Sequence, residues 1–574
     1  MFIQFLRKTK LLNSIFFILL FIILVLTSCS SNKEIKNEEK KSSCEYLNVF
    51  GGVLFDVVGN VFPLKDGTFY IVVETYSPAS DGDIPKSCHF KIQNLINLSD
   101  LRMEDSGDIW IFQVDPRKKE GKQIIYSRCF GGTKGEGIQS VTVTEDEQIV
   151  VFAVSNSDDG DLSNDPINGD KRWMFRVDPK RPWNEQITYS NSFKISDINL
   201  VNDIKFVSKD VAYIYSNRNF NNGHFYDGYF YNLRALDLSK DRANSQIFNR
   251  DIFFSDIKLI RDAPMFTKNK MIVDENGILT IVVSAVKDHL FMPQDINKAL
   301  DINKNISYKN NKSKDDKKIQ NSDIVADILV LSLNPKLSES DWIIFSRFIG
   351  GNNCESMPSI LRAKDGNFWI SFMSNSHDGE LKGVPFKNYS KIVLLKLNPN
   401  LAFDKQIEYL KYFSATKDEH LGLYCFAKDE NDNLAFLSHR VKRTKIKDDN
   451  NEYIVLDNEN YDKEKNIIFP PLEDKTCNYN KSYEIFYIDT KKDEVFYKDL
   501  FIIASDFYSF SFYDSSSLVF AMSTDNKPNV GDMPNYKMSV LENLVNRESS
   551  SDENVYSNIL VGILPVKNMK KLEK

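Results

Sequence analysis

Residues 130–193 decide the fold, and they read FGGTKGEGIQSVTVTEDEQIVVFAVSNSDDGDLSNDPINGDKRWMFRVDPKRPWNEQITYSNSF. Turn residues divide this stretch into four short apolar runs, and each run predicts a strand, at 139–144, 149–154, 173–177 and 186–193. The second run is rich in β-branched and aromatic residues, as is typical of a strand buried on both faces. Asp178-Pro179 ends the third run, because proline has no amide hydrogen to donate to a sheet. The stretch therefore predicts one four-stranded unit.

The same order of pieces recurs in two clear copies, which begin at Phe50 and Ile349. Each copy has a Gly-Gly pair, a Lys-Asp-Gly turn, an acidic loop with a central glycine, and a strand ended by Asp-Pro or Asn-Pro. The Gly-Gly pair permits positive φ and a close approach of other backbone. The Asp-Gly pairs at 66–67 and 365–366 predict type I′ hairpins, in which both central residues have positive φ.

Four weaker copies fill the rest of the chain and begin near residues 193, 253, 413 and 501. The lengths of the copies differ, and the excess falls in one loop of each, which is where repeat arrays accept insertions. Their strands are predicted at 203–215, 229–238, 278–283, 328–333, 505–512, 517–522 and 559–564.

Seven four-stranded units that cannot bury their own faces predict an all-β fold, a seven-bladed β-propeller with antiparallel blades. The last unit has three good strands, while an unassigned strand at 45–50 precedes the first unit. We expect this N-terminal strand to join the last blade and close the ring, which protects the sheet edges. The alternatives are an array of two-sheet sandwiches, a β-solenoid, or a ring of six or eight blades.

The propeller is predicted to take up residues 44–574 as a single domain. The chain has 574 residues and is 42% hydrophobic, which is enough for a large core. Loop insertions are expected at about 287–322 and 441–481. The first is rich in Lys, Asn and Asp, a composition that predicts disorder.

The N-terminus predicts a bacterial lipoprotein. Residues 1–28 combine Arg7, Lys8 and Lys10 with an apolar run at 11–26, as a secretory signal peptide does. The following Leu-Thr-Ser-Cys at 26–29 resembles a lipobox, which implies cleavage before Cys29 and acylation of that cysteine, palmitate included. The acyl chains would hold the protein on a membrane, at about 0.8 kcal/mol per buried CH₂. The alternative is an uncleaved membrane anchor.

Residues 29–43 predict a flexible tether between the acylated Cys29 and the propeller. The segment SSNKEIKNEEKKSS is polar, with charges of both signs, and lacks the apolar content to order itself. Fully extended, it would reach roughly 50 Å. The expected location is therefore the cell envelope, on a membrane facing the periplasm or the cell surface.

Net charge and cysteine content limit the partners and the kinds of site that the sequence predicts. The formal net charge is −7 and there is no basic stripe, which argues against a nucleic-acid partner. Seven cysteines leave six beside Cys29, and an exported chain can pair these in up to three disulfides, with connectivity open. The alternative is that most of them are small buried hydrophobes. Closely spaced cysteines are absent, so no redox or zinc motif is predicted.

Acidic loops at equivalent places in three units supply the candidate binding-face residues. Calcium prefers six to eight oxygens, and Asp159, Asp161, Ser163 and Asp165 alternate as ligands often do. However, a glycine and a closing glutamate are missing, so ordinary turn chemistry is favoured, no metal ligand or cofactor is assigned, and calcium is kept as an alternative. The six histidines are spread over five of the units and have no spacing typical of metal ligands. The candidate loop residues are Asp81, Asp83, Asp159, Asp161, Asp378 and Glu380.

These loops would share one face of the ring. In a propeller, connections between second and third strands lie beside the connections between blades. The same face receives the long insertions at 77–107, 287–322 and 441–481. Because binding residues often lie in loops on a rigid scaffold, this rim is the candidate binding face. The alternative is that the insertions bind no partner.

The clear units resemble the β-propeller-repeat proteins that bacteria export. The shared pattern is Phe-Gly-Gly, then Lys-Asp-Gly, Ser-x-Asp-Gly-Asp and a strand ended by Asp-Pro, and it covers most of 50–200 and 325–415. The resemblance implies a fold and no catalytic residue.

A lipid-anchored binding or scaffold protein of the cell envelope, without catalysis, is the favoured function. The chain has no HExxH, GxSxG or Walker pattern. Its partner would be a protein or a glycan. One alternative is a glycan-processing propeller enzyme, which needs carboxylates and aromatic side chains converging in the central funnel. Another is a structural component of an outer-membrane assembly machinery.

Overall fold

The computed structural model describes a β-structure within the compact unit Cys44–Lys574. The described residues are 46–52, 56–77, 79–80, 82–89, 107–198, 200–220, 228–240, 244–255, 269–285, 290–291, 326–338, 341–382, 391–414, 419–442, 466–468, 481–500, 504–525 and 557–572. Cys29, Asp81, the predicted signal peptide and tether, and most of the three long insertions lie outside them.

The strands form seven sheets, numbered here as blades 1 to 7 in chain order. After β1 (Tyr46–Phe50), blade 1 has β2 (Asp56–Pro63), β3 (Phe69–Thr75), β4 (Asp108–Val114) and β5 (Ile124–Phe130). Blade 2 has β6 (Glu136–Val143), β7 (Ile149–Ser155), β8 (Lys171–Val177) and β9 (Ile187–Lys194). Blade 3 has β10 (Leu200–Phe206), β11 (Val211–Phe220), β12 (Gly228–Asp237) and β13 (Gln246–Ser255).

The remaining blades follow the same order, with three additional short strands. Blade 4 has β14 (Met271–Val273), β15 (Leu279–Ala285), β17 (Asp327–Leu333) and β18 (Ile343–Ile349), and β16 is Leu290–Phe291. Blade 5 has β19 (Glu355–Arg362), β20 (Phe368–Ser374), β21 (Lys391–Leu397) and β22 (Ile407–Ser414). Blade 6 has β23 (Glu419–Lys428), β24 (Leu434–Lys442), β26 (Lys481–Asp489) and β27 (Glu494–Leu500), and β25 is Asn466–Ile468. Blade 7 has β28 (Ala504–Asp514), β29 (Ser517–Asp525) and β30 (Ser557–Pro565), and β31 is Lys570–Lys571.

The predicted ring closure is confirmed. The strand β1 pairs antiparallel with β30, with Tyr46 opposite Ile563 and Phe50 opposite Ile559, so the N-terminal strand is the outer strand of blade 7. The inner strands contact one another around the whole ring, and β28 of blade 7 contacts β2 of blade 1. The fold is a closed seven-bladed β-propeller.

The hydrophobic core is divided among the blade junctions. Buried apolar side chains of the described residues form seven clusters, one between each pair of neighbouring blades. The strand β4 shows why the sequence does this. Because successive side chains of a strand face opposite ways, Ile109 and Ile111 pack toward blade 2, while Trp110 and Phe112 pack toward blade 7. Because the central strands are buried on both faces, their sequences are continuous apolar runs.

The structure corrects two details. The predicted type I′ turns are wrong, because Gly67 has φ 79° and Gly366 has φ 87° while the aspartates before them do not have positive φ. The Gly67 amide donates instead to the Leu64 carbonyl at 3.1 Å, so each loop is a type I turn followed by a left-handed residue. The run 203–215 is also two strands, β10 and β11, joined by a turn at 207–210.

Three blades gain a fifth strand that the sequence did not predict. The strand β16 pairs with β13 of blade 3, β25 pairs with β22 of blade 5, and β31 pairs with β27 of blade 6. Each added strand comes from chain that belongs to the next blade, so neighbouring blades are linked at their outer edges. Among the described residues, no helix has the length and apolar character needed to cross a membrane.

Candidate functional site

The Gly-Gly connection between blades 1 and 2 is held by the acidic loop of blade 2. The Gly131 amide donates to the Asp161 carboxylate at 3.2 Å, and the Asp161 amide donates to the Gly131 carbonyl at 2.9 Å. The Asp159 carboxylate accepts the Thr133 amide at 2.7 Å. Gly160 has φ 61°, and a Cβ there would lie 2.3 Å from the Gly131 carbonyl oxygen. We call this exchange between the Gly-Gly connection and the acidic loop the blade latch.

A basic side chain completes the latch. The guanidinium of Arg128, on the outer strand of blade 1, donates to the Asp161 carboxylate at 3.1 Å and to the Gln186 side chain at 3.0 Å. It also donates to the Trp183 carbonyl and lies over the Trp183 ring. Arg128 therefore fastens blade 1 to two separate loops of blade 2.

The junction between blades 4 and 5 repeats this geometry. The Gly350 amide donates to the Glu380 carboxylate at 3.2 Å, and Arg347 donates to Glu380 at 2.6 Å. Arg347 also donates to the Gln406 side chain at 2.6 Å and to the Phe403 carbonyl at 2.8 Å. Two residues after Gly350, the Asn352 amide donates to the Asp378 carboxylate at 2.7 Å.

The seam between blades 7 and 1 has a weaker latch. The Gly51 amide donates to the Asp83 carboxylate at 3.3 Å, and the Asp83 amide donates back to the Gly51 carbonyl at 3.0 Å. Asn48 stands where the other latches have arginine, and its side chain donates to Gln123 at 2.5 Å. Burial raises the pKa of Asp83 to about 6, and it also raises the pKa of Asp161 and Glu380.

At each of the two arginine latches, a buried glutamate accepts the amide of the second glycine. The Glu136 carboxyl accepts the Gly132 amide at 3.2 Å and the Ser155 hydroxyl at 2.8 Å. Burial raises the pKa of Glu136 to about 8, and the neighbouring Asp108 adds to the rise. Glu355 takes the same position at the junction of blades 4 and 5, where burial and the adjacent Asp327 raise its pKa to about 8.

The candidate binding-face residues that the structure describes are thus part of blade junctions. Asp83, Asp161 and Glu380 receive the Gly-Gly amides, and Asp159 and Asp378 hold the residue that follows. Asp165 turns back to accept the Ile167 amide at 2.8 Å. Their positions match the turn chemistry that the sequence analysis favoured, and calcium at these loops stays the untested alternative. Their role as a binding face also stays a prediction.

A disulfide joins Cys88, in the connection between β3 and β4, to Cys129 on β5, with 4.9 Å between their Cα atoms. Cys88, Asp108 and Cys129 are the one group of metal-type ligands that comes together among the described residues, and the disulfide occupies both sulfurs. Cys425 is buried, as the alternative reading of the cysteines expects, and Cys354 is half-buried. Cys44 and Cys477 lie outside the described residues.

A cavity of about 560 Å³ lies along the inner strands of blades 1, 2 and 3. Its walls come from β2, β6 and β10. Glu74, Tyr76, Asn156 and Arg172 also line it, and all four lie where strands join the connections between second and third strands. The cavity therefore reaches the face of the ring that carries the latches and the predicted insertions.

Three of the charged groups that line the cavity, Glu74, Asp203 and Lys205, have partners among the lining residues. Glu74 accepts the Tyr76 hydroxyl and the Ile138 amide, the latter at 3.0 Å, and burial raises the pKa of Glu74. Asp203 and Lys205 form an ion pair at 3.2 Å. Beside them in the lining, burial lowers the pKa of the Arg172 guanidinium and Asp170 opposes that change, as an opposite charge nearby does.

Backbone bulges give the cavity its polar lining. In β6 and β10 the strand register shifts at Gln139 and Asn202, and both side chains line the cavity. The Gln139 side-chain oxygen accepts the Val201 amide at 3.2 Å. The side-chain nitrogen of Asn202 is buried and has no hydrogen-bond partner. In β2 the corresponding shift falls at Gly59, where a Cβ would lie 2.9 Å from the Ile138 side chain of blade 2.

Asn269 forms the wall of the cavity that faces the far side of the ring. It belongs to blade 4, yet its side-chain nitrogen donates to the Phe426 carbonyl of blade 6 at 3.1 Å. Its own carbonyl accepts the Ile360 amide of blade 5 at 2.7 Å. The Lys205 ammonium of blade 3 donates to its side-chain oxygen at 3.3 Å. One residue of blade 4 thus makes hydrogen bonds to blades 3, 5 and 6.

Sequence reasoning missed this cavity. It placed Gln139 at the start of a strand and counted 203 onward as one run, and neither assignment reveals a bulge. A usable signal was present, because each of the three inner strands interrupts its apolar residues with a pair of small or polar ones. These pairs are Gly59-Asn60, Gln139-Ser140 and Asn202-Asp203.

Comparison with known proteins identifies no family. No family model and no curated protein matches the chain. A phage phi92 endosialidase is similar in structure, with TM-score 0.35 and 10% identity over 91% of this chain and 69% of that one. A Dyadobacter fermentans protein of unknown function has TM-score 0.33 and 9% identity, covering 91% and 98% of the two chains. A PL25 ulvan lyase has TM-score 0.32 and 10% identity, covering 83% and 93%. Likeness this distant carries no argument about function.

Proposed function

We propose that this chain is a lipid-anchored binding protein of the bacterial cell envelope that holds its ligand in the central cavity and performs no catalysis. The observation that carries the proposal is the cavity itself, about 560 Å³ in volume, whose lining combines apolar side chains with a few polar groups such as Gln139. Ligand sites in proteins commonly have this size and this kind of lining.

The bonds of the cavity carboxylates favour binding over catalysis. A glycoside hydrolase uses two carboxyl groups flanking the scissile bond, one as acid and one as base or nucleophile. In this cavity Glu74 is held by the Tyr76 hydroxyl and a backbone amide, and Asp203 accepts the Met271 amide at 2.9 Å and pairs with Lys205. The glycan-processing alternative rests on these same carboxylates lining the cavity, and the experiment below tests it.

Two features support export and anchoring. The Leu-Thr-Ser-Cys sequence at 26–29 follows an apolar run, as in bacterial lipoproteins. The Cys88–Cys129 disulfide suits an oxidising compartment outside the cytoplasm. The protein would therefore stand on a membrane through the acylated Cys29.

The anchor is tested by expressing the full chain and a Cys29→Ser variant in a bacterium fed an alkynyl palmitate analogue. We expect the wild-type chain to carry the label and to be found in the membrane fraction. The variant should lose the label. An unlabelled wild-type chain, or a variant labelled equally, would overturn the anchor.

Ligand binding is tested by crosslinking the acylated chain in intact envelopes and recovering what it holds. The matched variant is Gly137→Leu, because a Cβ at Gly137 meets only ordinary contacts, starting at 3.6 Å, and the larger side chain enters the cavity. We expect the variant to recover none of the partner. Equal recovery of the partner by the variant and the wild-type chain would mean that the partner binds the outer rim, as expected for a structural role in assembly. Release of products from glycans would show an enzyme.

A further inference from the structure

The exposed large apolar side chains of the described residues collect at one end of the blades. Trp183, Leu337, Leu401 and Phe403 lie in connections between a third and a fourth strand. Ile125, Ile247 and Ile344 each take the second position of the outer strand that follows such a connection. Single exposed apolar residues are normal on a protein surface, but a set confined to one structural position marks an interaction surface. We call these connections and the starts of their outer strands the apolar rim.

The predicted tether reaches the ring at this same end. Third and fourth strands are antiparallel, so their connection lies at one end of a blade and the latches lie at the other. In blade 7, Tyr46 begins β1 opposite Ile563, near the end of β30, while Phe50 leads into the Gly51 latch. The Asn48 side chain also donates to Gln123, the last residue of the connection 115–123 in blade 1. A chain anchored at Cys29 therefore brings the apolar rim, and not the latches, toward its membrane.

The two connections that follow this entry point around the ring carry exposed cations. In connection 115–123, Arg117, Lys118, Lys119 and Lys122 are exposed, against the two acids Asp115 and Glu120. Asp115 faces back to the backbone, where it accepts the Arg117 amide at 3.1 Å. In connection 178–186 of blade 2, the exposed Lys180 and Arg181 precede Trp183. Tryptophan beside lysine and arginine is typical of protein surfaces at the headgroup level of a membrane.

We propose that the apolar rim of blades 1 and 2 docks on the phospholipid surface that carries the acylated Cys29, an inference that rests on the proposed anchor. Trp183 and Ile125 enter the headgroup region, and the lysines of connection 115–123 meet the lipid phosphates. Because Glu147 of blade 2 pairs with Lys180 at 2.8 Å, the positive charge of the docking surface comes mainly from connection 115–123.

The tether permits this contact without enforcing it. Fully extended, residues 29–43 would let the ring stand roughly 50 Å from the bilayer, so contact depends on the affinity of the rim itself. The anchor raises the effective concentration of lipid at the rim, and a few exposed apolar and cationic side chains then suffice. Docking in this orientation directs the latch end, which the cavity of blades 1 to 3 reaches, away from the membrane and keeps it open to ligands.

The test is the fluorescence of the full-length acylated chain on vesicles of phosphatidylethanolamine and phosphatidylglycerol, with and without bromine on the acyl chains. Trp183 is 52% exposed, whereas the other four tryptophans are at most 3% exposed, so bromine, which quenches on contact, reports on Trp183. We expect brominated lipid to remove the part of the emission that Trp183→Phe also removes, and to quench that variant no further. Phenylalanine keeps an aromatic ring beside Arg128, so the variant should fold.

Two sets of variants locate the contact. Asn164 is exposed in a connection between second and third strands, at the latch end. Asn164→Trp in the Trp183→Phe background should be quenched by aqueous iodide and not by brominated lipid. Lys118→Glu combined with Lys119→Glu should reduce the quenching of Trp183 by brominated lipid. The matched control is Lys86→Glu combined with Lys382→Glu, because these lysines are exposed at the latch end, and it should leave the quenching unchanged.

Flotation of the vesicles separates the docking surface from the anchor. A wild-type chain that floats with the vesicles while brominated lipid leaves Trp183 unquenched would overturn the docking surface and leave the anchor standing. Shielding of Trp183 from iodide in whole envelopes, without quenching by brominated lipid, would overturn it in favour of a protein partner on the rim. Equal quenching of the Asn164→Trp chain would overturn the orientation. A wild-type chain that does not float would overturn the anchor and the docking surface together.

Discussion

The blade latches and the cavity are built from the same residue types, but they differ in how their polar groups are used. At the junction of blades 4 and 5, the Arg347 guanidinium reaches three acceptors and the Glu380 carboxylate takes both an amide and that guanidinium. In the cavity lining, the Asn202 side-chain nitrogen is buried without a partner, as is the Arg347 Nε of the latch. The latches therefore differ from the cavity lining in pairing charged groups across a blade junction, and not in satisfying every donor. Removing one member of a buried charge pair is costly, whereas removing a buried donor that has no acceptor is not.

Arg347→Ala should produce the largest loss of stability. The Arg347 side chain is 3% exposed and its partner Glu380 is 20% exposed, so the variant leaves a mostly buried carboxylate without its counter-charge. Such a loss costs about 3–5 kcal/mol. The control is Arg117→Ala, because the ion pair of Arg117 with Asp115 lies in an exposed turn, where solvent screens it, and its loss should change stability little. Denaturant unfolding of both variants measures the difference, and equal losses would contradict the distinction between latch and surface.

Gly160→Ala should come next. Its φ of 61° costs any other residue about 1–2 kcal/mol, and a Cβ 2.3 Å from the Gly131 carbonyl oxygen adds a clash with backbone that cannot move aside, for a total of about 3 kcal/mol. Gly169 lies in the same loop with φ 71° and has nothing within 4 Å of a Cβ. Gly169→Ala should therefore lose only the conformational part, about 1 kcal/mol. Equal unfolding midpoints for the two variants would show that the close approach of the Gly131 carbonyl to Gly160 does not contribute to the stability of the latch.

The latch glutamates should make stability fall as pH rises. The folded-state pKa of Glu136 and Glu355 is about 8, above the ordinary value of 4.5, so between these values the folded chain binds more protons than the unfolded chain. The contribution of each glutamate to stability is then fully present below about pH 4.5. It is lost as pH rises through 8, by roughly 1 kcal/mol per pH unit for each group.

The glutamine variants Glu136→Gln and Glu355→Gln test this directly. Each should flatten the decline of melting temperature between pH 6 and 8. Above pH 8, Lys391 acts in the opposite direction, because burial lowers its pKa to about 8 and stability then rises with pH up to its ordinary pKa of 10.5. The measurement is therefore best made below pH 8. An unchanged slope in both variants would mean that the two glutamates do not control it.

The sequence predicted the ring because the ring depends on local features. Gly131-Gly132 and the Asp-Pro strand ends mark the repeat, and a last unit lacking one strand required β1 to close it. The sequence predicted only part of the latch. The acidic residues occupied equivalent places, but their partners lie on the preceding blade, and Gly131 and Asp161 are 30 residues apart. The turn type was wrong because an Asp-Gly pair does not reveal the length of its loop.

The cavity was hidden for a different reason. A bulge adds one residue to a strand without an obligatory sequence signal, so Gln139 and Asn202 read as ordinary strand residues. Asn269 was equally invisible, because its three partners belong to blades 3, 5 and 6 and become neighbours only when the ring closes. Residues that face a central channel are positioned by every blade at once, and no single repeat contains that information.

Asn202→Leu gives the smallest change and the sharpest contrast with the latches. Leucine has a similar size and removes a buried donor that has no acceptor, so the empty protein should become more stable, by up to about 1 kcal/mol. Thermal unfolding of the variant and the wild type measures the effect. Asn191 is the control, because its side chain donates to the Tyr189 hydroxyl at 3.0 Å and Asn191→Leu should destabilise. A loss of stability in Asn202→Leu as large as that in Asn191→Leu would mean that the Asn202 donor is satisfied within the fold.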